Sequence, residues 1–153
     1  KRFIPTPQFI LGITFGSGSL IAYSLQSNDF TVSLMILYTG IIAWIISFDT
    51  YYALEDKEDD LKININSTAI VWGENAIKYA RILHLFFYAS LILIAILNKF
   101  SYAFLLVIIL LLFIFIYQKK LINESKFLDA FKINNLVGII LVLGFVLEII
   151  LLK

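Results

Sequence analysis

The chain has 153 residues, of which 61% are apolar and 15% charged, with a net charge of +1 and no cysteine. A soluble domain runs roughly 45–50% apolar and about 25% charged, and a small one leaves much of its surface in water. A soluble globular fold and a disordered chain are therefore both excluded, leaving an integral membrane protein. Disulfides and thiol chemistry are excluded as well, and the near-neutral charge gives no reason to invoke nucleic acid.

Charge gaps mark the elements. Stretches 3–28, 30–48, 82–98, 100–118 and 133–147 contain no charged residue. A spanning helix needs about 20 mostly apolar residues, so five transmembrane helices are expected near 8–26, 31–52, 78–97, 100–118 and 133–152. The runs are too long, and too free of alternation, to be strands. The first element follows the basic pair Lys1 and Arg2, which itself reads as positive-inside anchoring. Within it, Gly12 and Gly16 form a G-x-x-x-G pair that permits close helix approach. The second carries Tyr38, Trp44, Phe48 and Tyr51, which either line an apolar groove or pack in the bundle. The third holds the single histidine, His84, expected as a packed or hydrogen-bonded helix residue. The fifth begins at Asn134 and Asn135, read as helix caps, and carries Glu148 near its end, read as a side chain reaching out to water.

The loops divide the charge unevenly. Ten of the 12 basic residues fall on one side of the membrane by the five-helix count; only Lys99 and Lys153 fall on the other. That bias places residues 49–77 and 119–132 on the cytoplasmic side, or its matrix equivalent. Seven of the 11 acidic residues also lie there: Asp49, Glu55, Asp56, Glu58, Asp59, Asp60 and Glu74. On one continuous helix Asp49, Asp56 and Asp60 fall within roughly 40° of a single face, with Tyr52 about 60° away. Like charges on one stripe repel, a cost offset if a divalent cation binds there; hard carboxylate oxygens suit Mg2+. The alternative is a solvated acidic face answering Lys57 and Lys62. The run Asp56-Lys57-Glu58-Asp59-Asp60-Leu61 lacks the glycine of an EF-hand loop.

Asp49-Thr50-Tyr51-Tyr52-Ala53-Leu54-Glu55-Asp56-Lys57-Glu58-Asp59-Asp60 resembles the second acidic motif of the UbiA prenyltransferase family, D-x-x-Y-x-x-x-D-x-x-x-D. Leu61-Lys62, Ser67-Thr68-Ala69-Ile70 and Gly73 resemble the continuation in its 4-hydroxybenzoate polyprenyltransferase branch. Lys1-Arg2-Phe3 with Pro7-Gln8, Leu11-Gly12 and Phe15-Gly16 is similar to the segment opening the family's fifth helix. Tyr117 to Ile122 and Ala130-Phe131-Lys132 with Asn134-Asn135 and Val137-Gly138 resemble its last two helices. The resemblance implies that residues 1–153 correspond to helices 5–9 of a nine-helix bundle. It implies Mg2+-dependent transfer of a polyprenyl group from polyprenyl diphosphate to 4-hydroxybenzoate, in ubiquinone biosynthesis at the cell inner membrane, with a mitochondrial inner membrane the second choice. By the same resemblance Asp49, Asp56 and Asp60 hold the metal and diphosphate. Tyr52 either faces the developing cation or orients a carboxylate, and Lys1, Arg2 and Lys62 contact the diphosphate.

The family's first acidic motif, N-D-x-x-D-x-x-x-D, is not present; Asn28-Asp29 is followed by Thr31-Val32 and no acid until Asp49. With Lys1 in place of an initiator Met, this leads to the expectation of a piece of a longer protein, inactive until joined to an N-terminal half carrying that motif. Asn64 and Asn66 replace a glycine and a basic residue of the family pattern, with Asn tolerated where φ is positive; Ile4-Pro5 replaces a Thr-His pair. Ser67 reads as the N-cap of a short interfacial helix through Trp72. Two other readings stay open: a transporter piece with an acidic cation site, and an inactive truncated prenyltransferase.

Overall fold

A computed structural model describes residues 5–27 and 29–151. Lys1, Arg2, Ile4, Asn28 and Lys153 lie outside the described residues, and with them the diphosphate role expected of Lys1 and Arg2. Among the described residues every regular element is helical: α1 (Pro7–Ser24), α2 (Val32–Glu55), α3 (Lys57–Lys62), α4 (Thr68–Val71), a 3-10 turn (Gly73–Asn75), α5 (Ala76–Leu97), α6 (Ala103–Asn123), α7 (Phe127–Lys132) and α8 (Asn134–Leu151).

Local chemistry sets the helix starts. Pro7 occupies the first turn of α1, where its missing N–H is no loss. Thr31 caps α2, its hydroxyl accepting from the Leu34 amide at 3.2 Å and so satisfying one free amide of the first turn. Asn64 takes φ +52°, a left-handed conformation that Asn tolerates. Ser67 is the extended residue before α4 but makes no side-chain cap.

Among the described residues four stretches are long and apolar enough to cross a membrane: Val32–Glu55, Gly73–Leu97, Ala103–Asn123 and Phe127–Leu151. The expectation was five. The difference is α1, an uncharged helix of 18 residues whose apolar content is diluted by Gln8, Thr14 and the Gly16-Ser17-Gly18-Ser19 run. Large apolar side chains point outward from the long helices, including Leu106, Phe113 and Ile116 on α6 and Val142 and Ile150 on α8. In water such a surface would be untenable; in lipid it is the ordinary outer face.

α2 is the central helix, packed on both α5 and α1. The G-x-x-x-G pair of α1 is what permits its approach. A Cβ on Gly12 would sit 3.1 Å from the Ile42 carbonyl oxygen, and one on Gly16 would sit 3.2 Å from Ile42 and Tyr38. A core of Phe87, Tyr88 and Leu91 from α5, Phe104, Val107 and Leu111 from α6, and Val137 and Leu141 from α8 fills the bundle. A second cluster, nearer the acidic end, joins Tyr51, Ala80, Leu121, Ile122 and Ala130.

His84 is fully buried and hydrogen-bonded, as expected. The Tyr88 hydroxyl donates to the Leu111 carbonyl at 3.1 Å, so its oxygen accepts from His84 Nε2 at 3.1 Å. His84 Nδ1 is then the acceptor for Ser47 Oγ at 3.3 Å. This chain ties α2, α5 and α6 together with interhelical hydrogen bonds, each worth about 1 kcal/mol in an apolar medium.

Glu148 departs from expectation. It is buried, at 2% exposure, and turned inward. Its carboxylate accepts from the Ser101 amide and from Ser101 Oγ at 2.8 Å. Ser101 lies in the turn before α6, so Glu148 of α8 serves a neighbouring helix start in place of a local cap. Its partner lies 47 positions away in sequence.

Candidate functional site

Asp49, Tyr52, Asp56 and Asp60 occupy the end of α2 and the start of α3. The expected single helical stripe is interrupted. α2 ends at Glu55, and Asp56 (φ −82°, ψ 0°) links it to α3. Its side chain thus sits at a helix junction, the setting Asp favours because its short carboxyl competes for backbone amides. The junction is tight: the Asp56 carbonyl still accepts from the Asp60 amide at 2.9 Å, and the Asp60 carbonyl accepts from Ile65 at 2.9 Å. Asp60 is turned inward, with 6% exposure.

The break does not scatter the acidic groups. The Tyr52 phenol lies in the field of Asp56 first, within hydrogen-bond reach, and of Asp49 and Asp60 as well. Its ring packs on Phe131 with centroids 5.2 Å apart. Among the described residues no three acidic or histidine side chains converge closely enough to cage a metal by themselves. Mg2+ does not need such a cage: it usually takes one or two carboxylates and completes its shell with waters and substrate phosphate oxygens. Among the described residues these carboxylates therefore do not form an all-protein metal site.

Lys62, expected at the diphosphate, is paired elsewhere. Its ammonium donates to Asp59 at 2.8 Å on the exposed face of α3. The contact holds the Asp59 carboxyl below, and the Lys62 ammonium above, their ordinary values, by hydrogen bond first and charge second. This part of the acidic run is the solvated face that the sequence left as the alternative.

Asp49 connects the acidic rim to a large apolar cavity of about 890 Å³. α2 supplies Trp44, Phe48 and Asp49, α1 supplies Leu11 and Phe15, and one face of α8 supplies Asn134, Asn135, Gly138, Ile139, Val142 and Leu143. Of the four aromatics considered for a groove, Trp44 and Phe48 line it. Tyr38 does not, and Tyr51 is buried in the second core cluster. Trp44 is fixed on three sides: its indole N–H donates to Asn134 Oδ1 at 2.9 Å, it stacks on Phe87 at 4.9 Å, and it meets Phe48 edge-on at 5.4 Å. Asn134 is thus more than a cap: its amide also donates to the Ala130 and Phe131 carbonyls, bridging α7 to α8.

Three further residues, quoted from the sequence only for the resemblance, carry contacts between helices. Gln8 is buried and accepts from the Thr68 amide at 3.0 Å, joining α1 to α4. The Thr50 and Thr68 hydroxyls meet at 2.8 Å, joining α2 to α4. Together they pin the loop after α3 against the rim. The only signal in the sequence was polar residues inside otherwise apolar runs, at Gln8 and Thr50.

The UbiA prenyltransferase family matches residues 1–146. A 4-hydroxybenzoate octaprenyltransferase of Edwardsiella ictaluri is 36% identical over 152 residues, covering 97% of this chain and 53% of that protein. The protein of the same name from Francisella tularensis subsp. novicida is 36% identical over 156 residues, with the same coverage. That of Aeromonas hydrophila is 31% identical over 151 residues. The chain spans about half the length of the curated relatives it matches. No solved structure matches it.

Proposed function

The chain belongs to the UbiA prenyltransferase family, and from that premise we propose that it supplies one half of an enzyme that moves a polyprenyl group from polyprenyl diphosphate to the ring of 4-hydroxybenzoate, a step of ubiquinone biosynthesis. The other half carries the first acidic motif. The observation that carries the reading is the junction at Asp49: a hydrophilic, acidic rim opening directly onto an apolar cavity between membrane helices. A donor with a charged diphosphate head and a hydrocarbon tail has this same polarity.

Each residue has a proposed task. Asp49, Asp56 and Asp60 would share the holding of Mg2+ with waters and phosphate oxygens, and the bound ion would neutralise the diphosphate and improve it as a leaving group. Tyr52 orients Asp56 through its hydroxyl. Trp44 and Phe48 shield the first carbons of the prenyl chain from water, and their ring faces favour positive charge spreading over the allyl group. The C1–O bond breaks and diphosphate departs with the electron pair. The ring carbon ortho to the hydroxyl forms the new C–C bond, and the proton on that carbon is lost as aromaticity returns.

The proposed setting is the inner membrane, acidic loop on the cytoplasmic side. That arrangement follows from the positive-inside bias and makes α1 a fifth span, about 27 Å long at 1.5 Å per residue. The test is transfer in membranes containing this chain joined to a half bearing the first motif. Turnover should require added Mg2+ and vanish in the Asp56→Ala/Asp60→Ala double variant. Undiminished turnover by that variant contradicts the reading.

A further inference from the structure

Gly138 of α8 faces the edge of Trp44: a Cβ built there would lie 3.8 Å from the indole Cη2 and meet nothing else within 4 Å. A methyl group there meets the indole edge in ordinary contact, and the space beyond it is the cavity. The indole cannot swing aside, because Asn134, Phe87 and Phe48 hold it on its other sides. A larger group at 138 must turn into the cavity that both residues line.

The position along α8 gives this geometry a consequence. Asn134 and Asn135 border the polar end of the cavity beside Asp49, and Val142 and Leu143 border its deep end. At 1.5 Å per residue, Gly138 lies about 5 Å below the polar end and about 7 Å above Leu143. The walls above it carry polar groups; those below are hydrocarbon only.

We propose that Gly138 is the gauge that decides how long a prenyl donor the cavity accepts, its missing side chain leaving the passage open beside the fixed edge of Trp44. The inference rests on the reading of the cavity as the donor site. A side chain at 138 would leave room beside Asp49 for the first carbons and obstruct the remainder of the tail. Discrimination then falls on chain length and not on the reacting end.

The experiment compares geranyl diphosphate with a long polyprenyl diphosphate as donors to 4-hydroxybenzoate, in membranes holding this chain joined to the half with the first motif. Gly138→Leu should lower the long-to-short ratio of kcat/KM by at least about tenfold, the scale on which a pocket rejects misplaced methylenes. Val142→Phe, one turn deeper on the same wall, should lower it in the same direction. Gly18→Leu places the same side chain on α1, where nothing lies within 4 Å of the added Cβ, and should leave the ratio as in the parent. Equal loss of both donors in the two cavity variants, or an unmoved ratio, overturns the gauge. A parent protein that transfers neither donor overturns the donor-site reading instead.

Discussion

Glu148 and Asp49 are both carboxylates near the ends of apolar helices, and the structure treats them in opposite ways. Glu148 is sealed inside the bundle, with both oxygens engaged by Ser101. Asp49 borders a cavity open to a large molecule, and the field at the nearby Tyr52 phenol comes from Asp56 first and from Asp49 and Asp60 after it. The first arrangement saturates the acceptor locally, so the charge serves the fold. The second gathers like charges, which costs stability and makes sense where a cation is shared with a ligand. A carboxylate at a membrane edge is therefore not diagnostic by itself; its donors and its access decide.

The sharpest way to break the comparison is at the rim. Asp56→Ala/Asp60→Ala should lower prenyl transfer by at least about a hundredfold, the scale of losing electrostatic support at a reacting centre, with the helix content by circular dichroism unchanged. Next comes the opposite end. Glu148→Ala leaves the Ser101 amide and hydroxyl buried without their acceptor, and should destabilise the protein by about 1–3 kcal/mol. Thermal unfolding in detergent reads this as a lowered Tm. Tyr52→Phe keeps the packing on Phe131 and removes only the hydroxyl, so a loss of about fivefold in kcat is expected. A wild-type rate in that variant would assign Tyr52 to packing alone. Smallest is Lys62→Ala, which should leave stability near neutral pH within error, because exposed pairs contribute little. The pair's small contribution has a signed pH window. Asp59 is lowered from its ordinary 3.8, so its share is present above that value and lost below it; Lys62 is raised from 10.5, so its share is present below that value and lost above it.

Sequence legibility follows the range of the interactions. The long helices were readable because uncharged runs need no distant partner to be recognised, and α2 and α6 extend beyond their expected ends by only a few residues. The packing role of Gly12 and Gly16 was readable for the same reason. The acidic motif identified the rim, but a regular helix drawn through Asp56 gave the wrong geometry. Neither Gly nor Pro marks that junction, and Asp56 looks like one more member of a charge run. Glu148, Gln8 and the Trp44–Asn134 pair were not readable, since their partners lie 47, 60 and 90 positions away. The span count stood at five because α1 lacks charge, whereas its Gly, Ser and Thr content leaves it less apolar than the other four.

The most direct measurement sets Asp49→Asn beside Glu148→Gln in one membrane preparation of the joined protein, with labelled polyprenyl transfer and Tm read on both. Asp49→Asn should abolish Mg2+-dependent transfer at the parent's Tm, and Glu148→Gln should lower the Tm while each folded molecule still transfers. The reverse pattern, with Asp49→Asn active or Glu148→Gln inactive at the parent's Tm, would contradict the division of labour between rim and bundle.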